Sequence, residues 1–114
     1  MNEIRKTWKV GFFQTARGGL PVKEFIKEQD EGTYAKILHS ILLLKNYGPY
    51  LKPPDAKKLQ DRLYELRIRG KIAIRIFYTL HKGEYYLLHA FKKKTEKTPS
   101  KEIKTAVDRM EKLI

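Results

Sequence analysis

The feature that most constrains the fold is an alternation of apolar and polar side chains through two consecutive segments, residues 63–69 and 71–80. In both segments every second residue is apolar: Tyr64, Leu66 and Ile68 in the first, and Ile72, Ile74, Ile76 and Tyr78 in the second. Successive side chains of a strand point to opposite faces of the sheet. The pattern therefore predicts two antiparallel strands with an apolar core face and an opposite face that carries Arg67 and Arg75.

Turn signals extend this region into a run of three strands. Arg69-Gly70-Lys71 and Lys82-Gly83 are typical of hairpin turns, so a third strand is predicted over Glu84–Lys93. Its core side chains are predicted to be Tyr86, Leu88 and Ala90. In that arrangement three further side chains share the face of Arg67 and Arg75: His89, Phe91 and Lys93.

Helical spacing of apolar residues predicts three helices around these strands. Pro21 suits the first position of a short helix, and a longer helix follows Gly32 and ends at Gly48-Pro49. Thr98-Pro99 suits the start of a C-terminal helix, and an aromatic-rich strand is predicted over Trp8–Thr15. The order β-α-α-β-β-β-α predicts an α+β fold, with an antiparallel twisted sheet, two N-terminal helices and one C-terminal helix. We expect the helices to cover one face and leave the basic face open.

The charge distribution points to a polyanionic partner. The chain has 114 residues, the size of one domain covering residues 1–114, and a formal net charge of +12. Residues 57–75 hold seven basic and two acidic side chains, and residues 92–104 hold six lysines and two glutamates. Such clustering favours nucleic acid over a membrane surface, because no basic amphipathic anchor is evident. The alternative is a solvated surface that keeps a small protein in solution.

Several function classes are excluded or disfavoured by composition. The chain has no cysteine, which excludes disulfides, thiolate catalysis and cysteine-based zinc sites. Its three histidines (His39, His81 and His89) lack metal-ligand spacing, so we expect neither a metal nor another cofactor. The longest apolar run, Ile41–Leu44, is too short to cross a bilayer. Without a secretion signal either, the expected location is the cytoplasm.

Five residues are the candidates for catalysis. Arg67 and Arg75 can grip a phosphate and stabilise the charge that develops on it, although an arginine on an open sheet face can also be merely solvated. Lys93 and Lys94 can transfer a proton if neighbouring cations lower their pKa values, or they can belong to a solvated junction. His89 has a suitable intrinsic pKa, but a lone histidine in a strand is more often a packed side chain.

Further side chains are candidates for contacting RNA. The basic ones are Arg69, Lys71, Lys92, Lys97, Lys57 and Lys58. Phe77 and Phe91 lie on the predicted basic face, where aromatic rings can stack on splayed bases; core packing is the alternative. Glu65, the only carboxylate on that face, can orient an arginine or act as a base, and ranks below the lysines.

Three stretches together carry a resemblance to a known family: LYELRIR at residues 63–69, IRIFY at 74–78 and LLHAFKKKTEKTP at 87–99. They resemble the phage-derived HigB-like branch of the RelE/ParE superfamily of bacterial toxins. In that branch a strand ending in His-Gly-Phe and a Lys-Lys-Thr-x-Lys-Thr-Pro run lead into the C-terminal helix. Ala90 stands here where the branch often has glycine. With the N-terminal strand and helices included, the resemblance covers most of the chain.

The resemblance implies a metal-independent mRNA interferase that cuts messenger RNA in the ribosomal A site and is silenced by a cognate antitoxin. The implied antitoxin is a small HigA-like helix-turn-helix protein, through which alone the toxin contacts operator DNA. The implied nucleophile is the 2′-hydroxyl of the RNA, which leaves a cyclic phosphate. Arg75 matches the strand arginine of RelE-type toxins, Arg67 a basic residue on the preceding strand, and Lys93 the basic residue after the last strand.

Two departures from RelE leave the general base open. Glu65 replaces a lysine, and the C-terminal helix opens with Thr98-Pro99-Ser100 where RelE has a functional tyrosine. Two other functions also stay open at this stage. One is a ParE-like toxin that inhibits a protein such as gyrase without cutting RNA, and whose toxicity does not need Arg75. The other is a non-catalytic RNA-binding protein, with salt-dependent affinity and no cleavage.

Overall fold

The structure is a computed structural model that describes residues 6–114. Along the chain the elements are β1 (Val10–Phe12), α1 (Pro21–Lys27), α2 (Glu31–Tyr47), a 3₁₀ turn (Gly48–Tyr50), β2 (Ala56–Gln60), β3 (Leu63–Ile68), β4 (Ile74–His81), β5 (Glu84–Lys92) and α3 (Ser100–Glu111). The five strands form one sheet in the order β1-β5-β4-β3-β2. The α+β class and the predicted succession of three helices are confirmed.

The sheet is mixed, whereas an antiparallel sheet was predicted. The strands from β2 to β5 are joined by turns and are antiparallel to their neighbours. The edge strand β1 instead pairs in parallel with β5, with Val10 opposite Tyr85. No hairpin constrains the direction of β1, because more than seventy residues separate it from its partner strand. Its pairing is set by packing against α1 and α2.

Strand β2 is absent from the sequence-based prediction. Its sequence, AKKLQ, contains little apolar alternation, and it lies at the sheet edge, where exposed lysines are common because they discourage pairing with other chains. A turn at Asp61-Arg62, with Arg62 at φ 63°, returns the chain into β3. In this pairing Lys57 lies opposite Glu65 and Lys58 opposite Tyr64.

The two predicted hairpin turns have different outcomes. Lys82-Gly83 forms a two-residue turn between His81 and Glu84, and both turn residues have positive φ, as such turns require. The tight turn predicted at Arg69-Gly70-Lys71 is wrong. Because Ile68 pairs with Ile74, residues 69–73 form a longer loop, and Ile72 lies in that loop rather than on the core face of β4.

A β-bulge in β5 changes which of its side chains face the core. Phe77 pairs with His89 and the next residue, Tyr78, pairs with Leu87, so Leu88 has no partner on β4. Tyr86 and Leu88 therefore lie on the face opposite to the one predicted, although Leu88 is fully buried there. Tyr85, Leu87 and Ala90 face α1 and α2, whereas Tyr86 and Leu88 face α3.

Helices cover both faces of the sheet, so the prediction that all three lie against one face is wrong. α1 and α2 pack on the predicted core face, mainly through Val22, Ile26, Ile37, Ile41 and Leu44. α3 packs on the other face, where its Ala106 and Met110 contact a second cluster: Phe13, Leu63, Phe77, Leu88 and Phe91. The apolar residues that interrupt the charged face thus provide the docking surface for α3.

The helix ends agree with the predicted signals to different degrees. Asp30 caps α2 by accepting a hydrogen bond from the Thr33 N–H at 2.8 Å, which lowers the pKa of its carboxyl. Gly48 ends α2 at φ 50°, with Trp8 packed where a side chain would lie. The predicted cap of α3 by Thr98 is wrong, because α3 begins at Ser100 without a side-chain cap. Within residues 6–114, no helix combines the length and apolarity needed to span a membrane.

Candidate nucleic-acid interface

Arg67 and Arg75 face each other across β3 and β4, as their alternation predicts. They are a direct cross-strand pair, and Phe91 of β5 continues the same row. Neighbouring strands lie about 5 Å apart, so the two guanidinium groups leave the sheet side by side. Like charges directly opposite each other in a sheet are destabilising. The pair therefore requires a compensating group.

Glu65 is that compensating group. It precedes Arg67 by two residues on the same strand and therefore shares its face. Its side chain is only 2% exposed. The Arg67 Nε–H donates a hydrogen bond to Glu65 Oε1 at 2.9 Å, and Arg75 Nε lies 3.8 Å from the same oxygen. One buried carboxylate thus lies against two cations, and the three groups together carry a net charge of +1.

The hydrogen bonding of this group is incomplete. Glu65 Oε2 and Arg75 Nε are both buried and have no hydrogen-bond partner. Burial lowers the pKa of the Arg75 guanidinium; Glu65 opposes this, while Arg67 and Arg69 lower the pKa further. The Arg75 side chain is 12% exposed, so part of it still reaches the surface. Unpaired buried polar atoms are costly and uncommon. The Arg75 Nε–H is an unused donor, which an anion accepts from, whereas Glu65 Oε2 is an acceptor and needs a donor. The unused guanidinium donors and the net positive charge mark this group as a candidate site for an anion.

The lysines after β5 border the same end of the sheet. The Lys93 N–H donates to Ala73 O at 2.8 Å, which ties its backbone to the residue two positions before Arg75. Its ammonium donates to Glu96 O at 2.7 Å. Lys94 and Lys97 are exposed in the connection to α3. An exposed basic segment therefore adjoins the arginine row, which suits the binding of an extended polyanion.

The remaining basic candidates divide between the two faces. Lys57 shares a row with Glu65, and Arg69 and Lys71 are exposed in the loop between β3 and β4. Lys58 belongs to the other face, with its ammonium 6.0 Å from the centre of the Tyr64 ring. Lys92 pairs with the core residue Ile74, and its charge acts on Asp30 at the start of α2.

Phe77 and Phe91 are buried, so their predicted place on an open face is wrong. Phe77 is 0% and Phe91 7% exposed. Their rings pack edge to face at 5.2 Å in the core under α3. In this arrangement neither ring offers a free face for an RNA base. The alternative reading from the sequence, core packing, is the one observed.

His89 belongs to a separate polar cluster with two residues of α3. Arg109 Nη1 lies 3.3 Å from His89 Nδ1 and also donates to Leu88 O at 2.8 Å, while His89 Nε2 lies 3.2 Å from Glu102 Oε1. Because arginine only donates, Nδ1 must accept and Nε2 must carry the proton that it donates to Glu102. Burial lowers the pKa of His89, Glu102 opposes this, and Arg109 lowers the pKa further. The hydrogen-bond pattern is that of a neutral imidazole, with both nitrogens engaged.

Sequence reasoning did not single out Glu102 and Arg109. The available signal was their spacing, because residues seven apart lie on the same side of a helix.

His39, which was not a candidate from the sequence, lines a depression of about 380 Å³ between α2 and β3. The charged or titratable residues lining it are Lys36, His39, Asp55, Arg67 and Arg69. Within residues 6–114, no three His, Asp or Glu side chains are grouped so as to hold a metal ion.

A known protein family covers most of the chain. The family model described as "Phage derived protein Gp49-like (DUF891)" matches residues 24–111. The match begins within α1 and ends at the last residue of α3, so it includes both arginines, Glu65 and the lysine segment after β5. No curated protein matches the chain.

Proposed function

The chain belongs to the phage-derived Gp49-like family, a toxin-like family of the RelE/ParE type, and on this premise we propose that it is a toxin that cleaves messenger RNA. The observation that carries the proposal is the pair of cross-strand arginines, held by one buried carboxylate and left with a net positive charge. Guanidinium groups bind phosphate through paired N–H donors. Two of them on one face suit a phosphate that gains charge during reaction.

The proposed reaction is transfer of the phosphodiester to the neighbouring 2′-hydroxyl. The bond from the 2′-oxygen to phosphorus forms, the bond from phosphorus to the 5′-oxygen breaks, and a 2′,3′-cyclic phosphate results. A base takes the 2′ proton, and an acid protonates the departing 5′-oxygen. Arg67 and Arg75 stabilise the additional negative charge of the pentavalent transition state. The need for a 2′-hydroxyl restricts cleavage to RNA.

Lys93 and Lys94 are the proposed proton-transfer groups. Both lie where β5 ends, next to the arginine row, and an amine within hydrogen-bond reach of the reacting oxygens can serve as acid or base. His89 is the part of the original prediction that the geometry supports least. Both of its ring nitrogens are engaged by α3, and Phe77 and Phe91 pack against its ring on the side of the arginines.

The proposed partners are the translating ribosome, on which messenger RNA is cut in the A site, and a HigA-like helix-turn-helix antitoxin that binds operator DNA. A toxin-like family of this type supports an antitoxin partner. We place the chain in the HigB-like branch on the sequence motifs of residues 63–99. Four exposed residues are proposed to contact the RNA backbone from the arginine side of the molecule: Lys57, Arg69, Lys71 and Lys97. Lys58 and Lys92 belong to the opposite face.

The first test is Arg75→Ala, expressed beside the wild-type chain, with new 5′ ends on cellular messenger RNA mapped by primer extension. We expect cuts within translated regions for the wild type and a loss of roughly 100-fold or more for the variant, the usual effect of removing a group that stabilises transition-state charge. Arg17→Ala, an exposed arginine before α1, is the control and should cut normally.

Other outcomes of this experiment favour the competing functions. Growth arrest without new RNA ends, unchanged in Arg75→Ala, would contradict the ribonuclease proposal and favour a ParE-like inhibitor of a protein target. Salt-dependent RNA binding without either arrest or cutting would favour a non-catalytic RNA-binding protein.

A further inference from the structure

We propose that Glu65 is a positioning residue that holds the guanidinium groups of Arg67 and Arg75 together as a single fork for one phosphate. The identity of that phosphate as RNA rests on the proposed function. The fork itself follows from the contacts of three side chains on β3 and β4.

The burial of Glu65 is not explained by packing. It lies in the middle of β3, between Lys57 on one neighbouring strand and Phe77 on the other, and its side chain is 2% exposed. Removing a carboxylate from water costs several kcal/mol, and apolar residues of similar volume commonly replace buried ion pairs without loss of stability. The carboxylate therefore serves something other than the core.

Glu65 makes a close pair of arginines possible. Arg67 and Arg75 are direct cross-strand partners, and their repulsion would otherwise turn the two side chains apart. Oxygen Oε1 lies 2.9 Å from Arg67 Nε and 3.8 Å from Arg75 Nε, so one atom attracts both groups to the same point.

The geometry of these contacts leaves the outer ends of both arginines for a ligand. Glu65 approaches each guanidinium from its Nε side. In the described part of the chain, the terminal nitrogens of Arg67 have no hydrogen-bond partner, and Arg75 makes one long contact of 3.3 Å from Nη1 to Ile74 O. The terminal nitrogens are the ones that bind phosphate oxygens in a two-pronged manner.

The charge balance fits a phosphodiester. Two guanidinium groups and one carboxylate carry +1, which a bound phosphodiester with one negative charge neutralises. A transition state with a second negative charge would exceed this balance by one. Two further cations are proposed to supply the missing charge: Arg69, whose charge already acts on Arg75, and Lys93, whose backbone N–H is bonded to Ala73 O. Glu65 thus leaves the site with a single positive charge, which one phosphodiester neutralises.

The test is Glu65→Gln in the full chain, which keeps the shape of the side chain and removes its charge. On a single-site RNA substrate we expect kcat to fall about 30-fold, less than the 10²–10³-fold typical for loss of a donor itself. KM should change little, because the surrounding lysines supply most of the ground-state binding. Glu102→Gln removes the charge of a half-buried carboxylate on α3 that contacts His89 rather than an arginine of the fork. It is the matched control and should leave kcat unchanged.

A spectroscopic readout separates positioning from a purely structural role. In ¹⁵N NMR spectra, the Arg67 Nε–H signal should be protected from exchange in the wild type. It should be less protected in Glu65→Gln, whose neutral amide oxygen is a weaker acceptor, and unprotected in Glu65→Met, which has no acceptor oxygen. Inorganic phosphate should shift the Arg67 and Arg75 signals of the wild type, with roughly tenfold weaker binding in the variant because the paired donors are no longer held together. Glu65→Met gives the same readouts should Glu65→Gln not fold.

The outcomes distinguish this inference from the proposed function. A wild type that shows the phosphate-dependent arginine shifts but cuts no RNA would contradict the ribonuclease proposal and support the fork. An active wild type with unchanged kcat in Glu65→Gln would contradict the fork and support the ribonuclease. Equal phosphate affinity in the two proteins would also overturn the fork.

Discussion

Two polar clusters lie on the α3 face of the same sheet, and they differ in how completely their hydrogen bonds are satisfied. We call Glu65, Arg67 and Arg75 the open cluster, and His89, Glu102 and Arg109 the closed cluster. In the closed cluster one carboxylate, one guanidinium and a neutral imidazole contact one another and Leu88 O, with no net charge. The open cluster has a net charge of +1 and two buried atoms without partners.

Residue type alone therefore does not reveal which of the two clusters binds a ligand. Both clusters contain arginine and glutamate and lie on the same face of the sheet. Phe77 and Phe91 separate the two clusters: Phe77 pairs with both Glu65 and His89, and Phe91 pairs with Arg75. The closed cluster attaches α3 to β5, whereas the open cluster has unused capacity for an anion. Satisfied buried polar groups stabilise a structure, and unsatisfied ones are expected where a ligand completes them.

The largest effect on stability is expected from Arg109→Ala in the closed cluster. The change removes the hydrogen bonds to Leu88 O and His89 and the contact of the guanidinium with the Phe13 ring, 5.8 Å from its centre. We expect a loss of about 2 kcal/mol in the free energy of unfolding and a fall of roughly 10 °C in Tm, measured by urea and thermal unfolding. RNA cleavage at a temperature where the variant is folded should be unchanged. Loss of cleavage in the folded variant would contradict the division into two clusters, because the closed cluster would then belong to the site.

A smaller effect is expected from the titration of His89. Burial holds the folded-state pKa of His89 below the unfolded value of about 6.5, so the unfolded chain takes up the proton first as the pH falls. The contribution of His89 to stability is therefore complete above about pH 6.5 and decreases on acidification, by at most about 1.4 kcal/mol per pH unit. The charged groups that face this histidine are Glu102 and Arg109 from α3, with Glu24 and Glu28 of α1 lining the adjacent cavity.

The measurement is urea unfolding of the wild type and His89→Gln between pH 5 and 7.5. The variant should have a lower free energy of unfolding at neutral pH. Its free energy of unfolding should also decrease less on acidification than that of the wild type. Identical pH dependence in both proteins would show that His89 is not the titrating group. The pH profile of RNA cleavage should be similar in the two proteins, since His89 belongs to the closed cluster.

The smallest effect is expected from two neighbouring lysines on β2 that point to opposite faces. Lys57 shares its row with Glu65, whereas Lys58 lies beside Tyr64 on the other face. On an RNA blocked by 2′-O-methyl groups, Lys57→Ala should lower the slope of log affinity against log salt by about 1. Lys58→Ala is its matched control and should leave the slope unchanged. Equal effects of the two variants would mean that RNA contact is not confined to the face of the open cluster.

The prediction from sequence succeeded where the signal is local. The alternation in residues 63–80 located β3 and most of β4, and helical spacing located α2 and the apolar stripe of α3. The prediction failed where the pairing of distant segments determines the local structure. The parallel strand β1, the lysine-rich edge strand β2 and the bulge at Leu88 all depend on a partner that the local pattern does not contain.

That Arg67 and Arg75 share a face could be predicted from the sequence. Each alternates with apolar residues of the core face, and side-chain direction in a regular strand alternates with a period of two. Which other side chains lie exposed on that face depends on the tertiary structure. Docking of α3 buries Phe77 and Phe91 and engages His89, while Glu65, itself buried, stays beside the arginines with one oxygen unpaired. The physical reason is that burial and hydrogen-bond satisfaction are properties of contacts between distant segments, and the docking of α3 is such a contact.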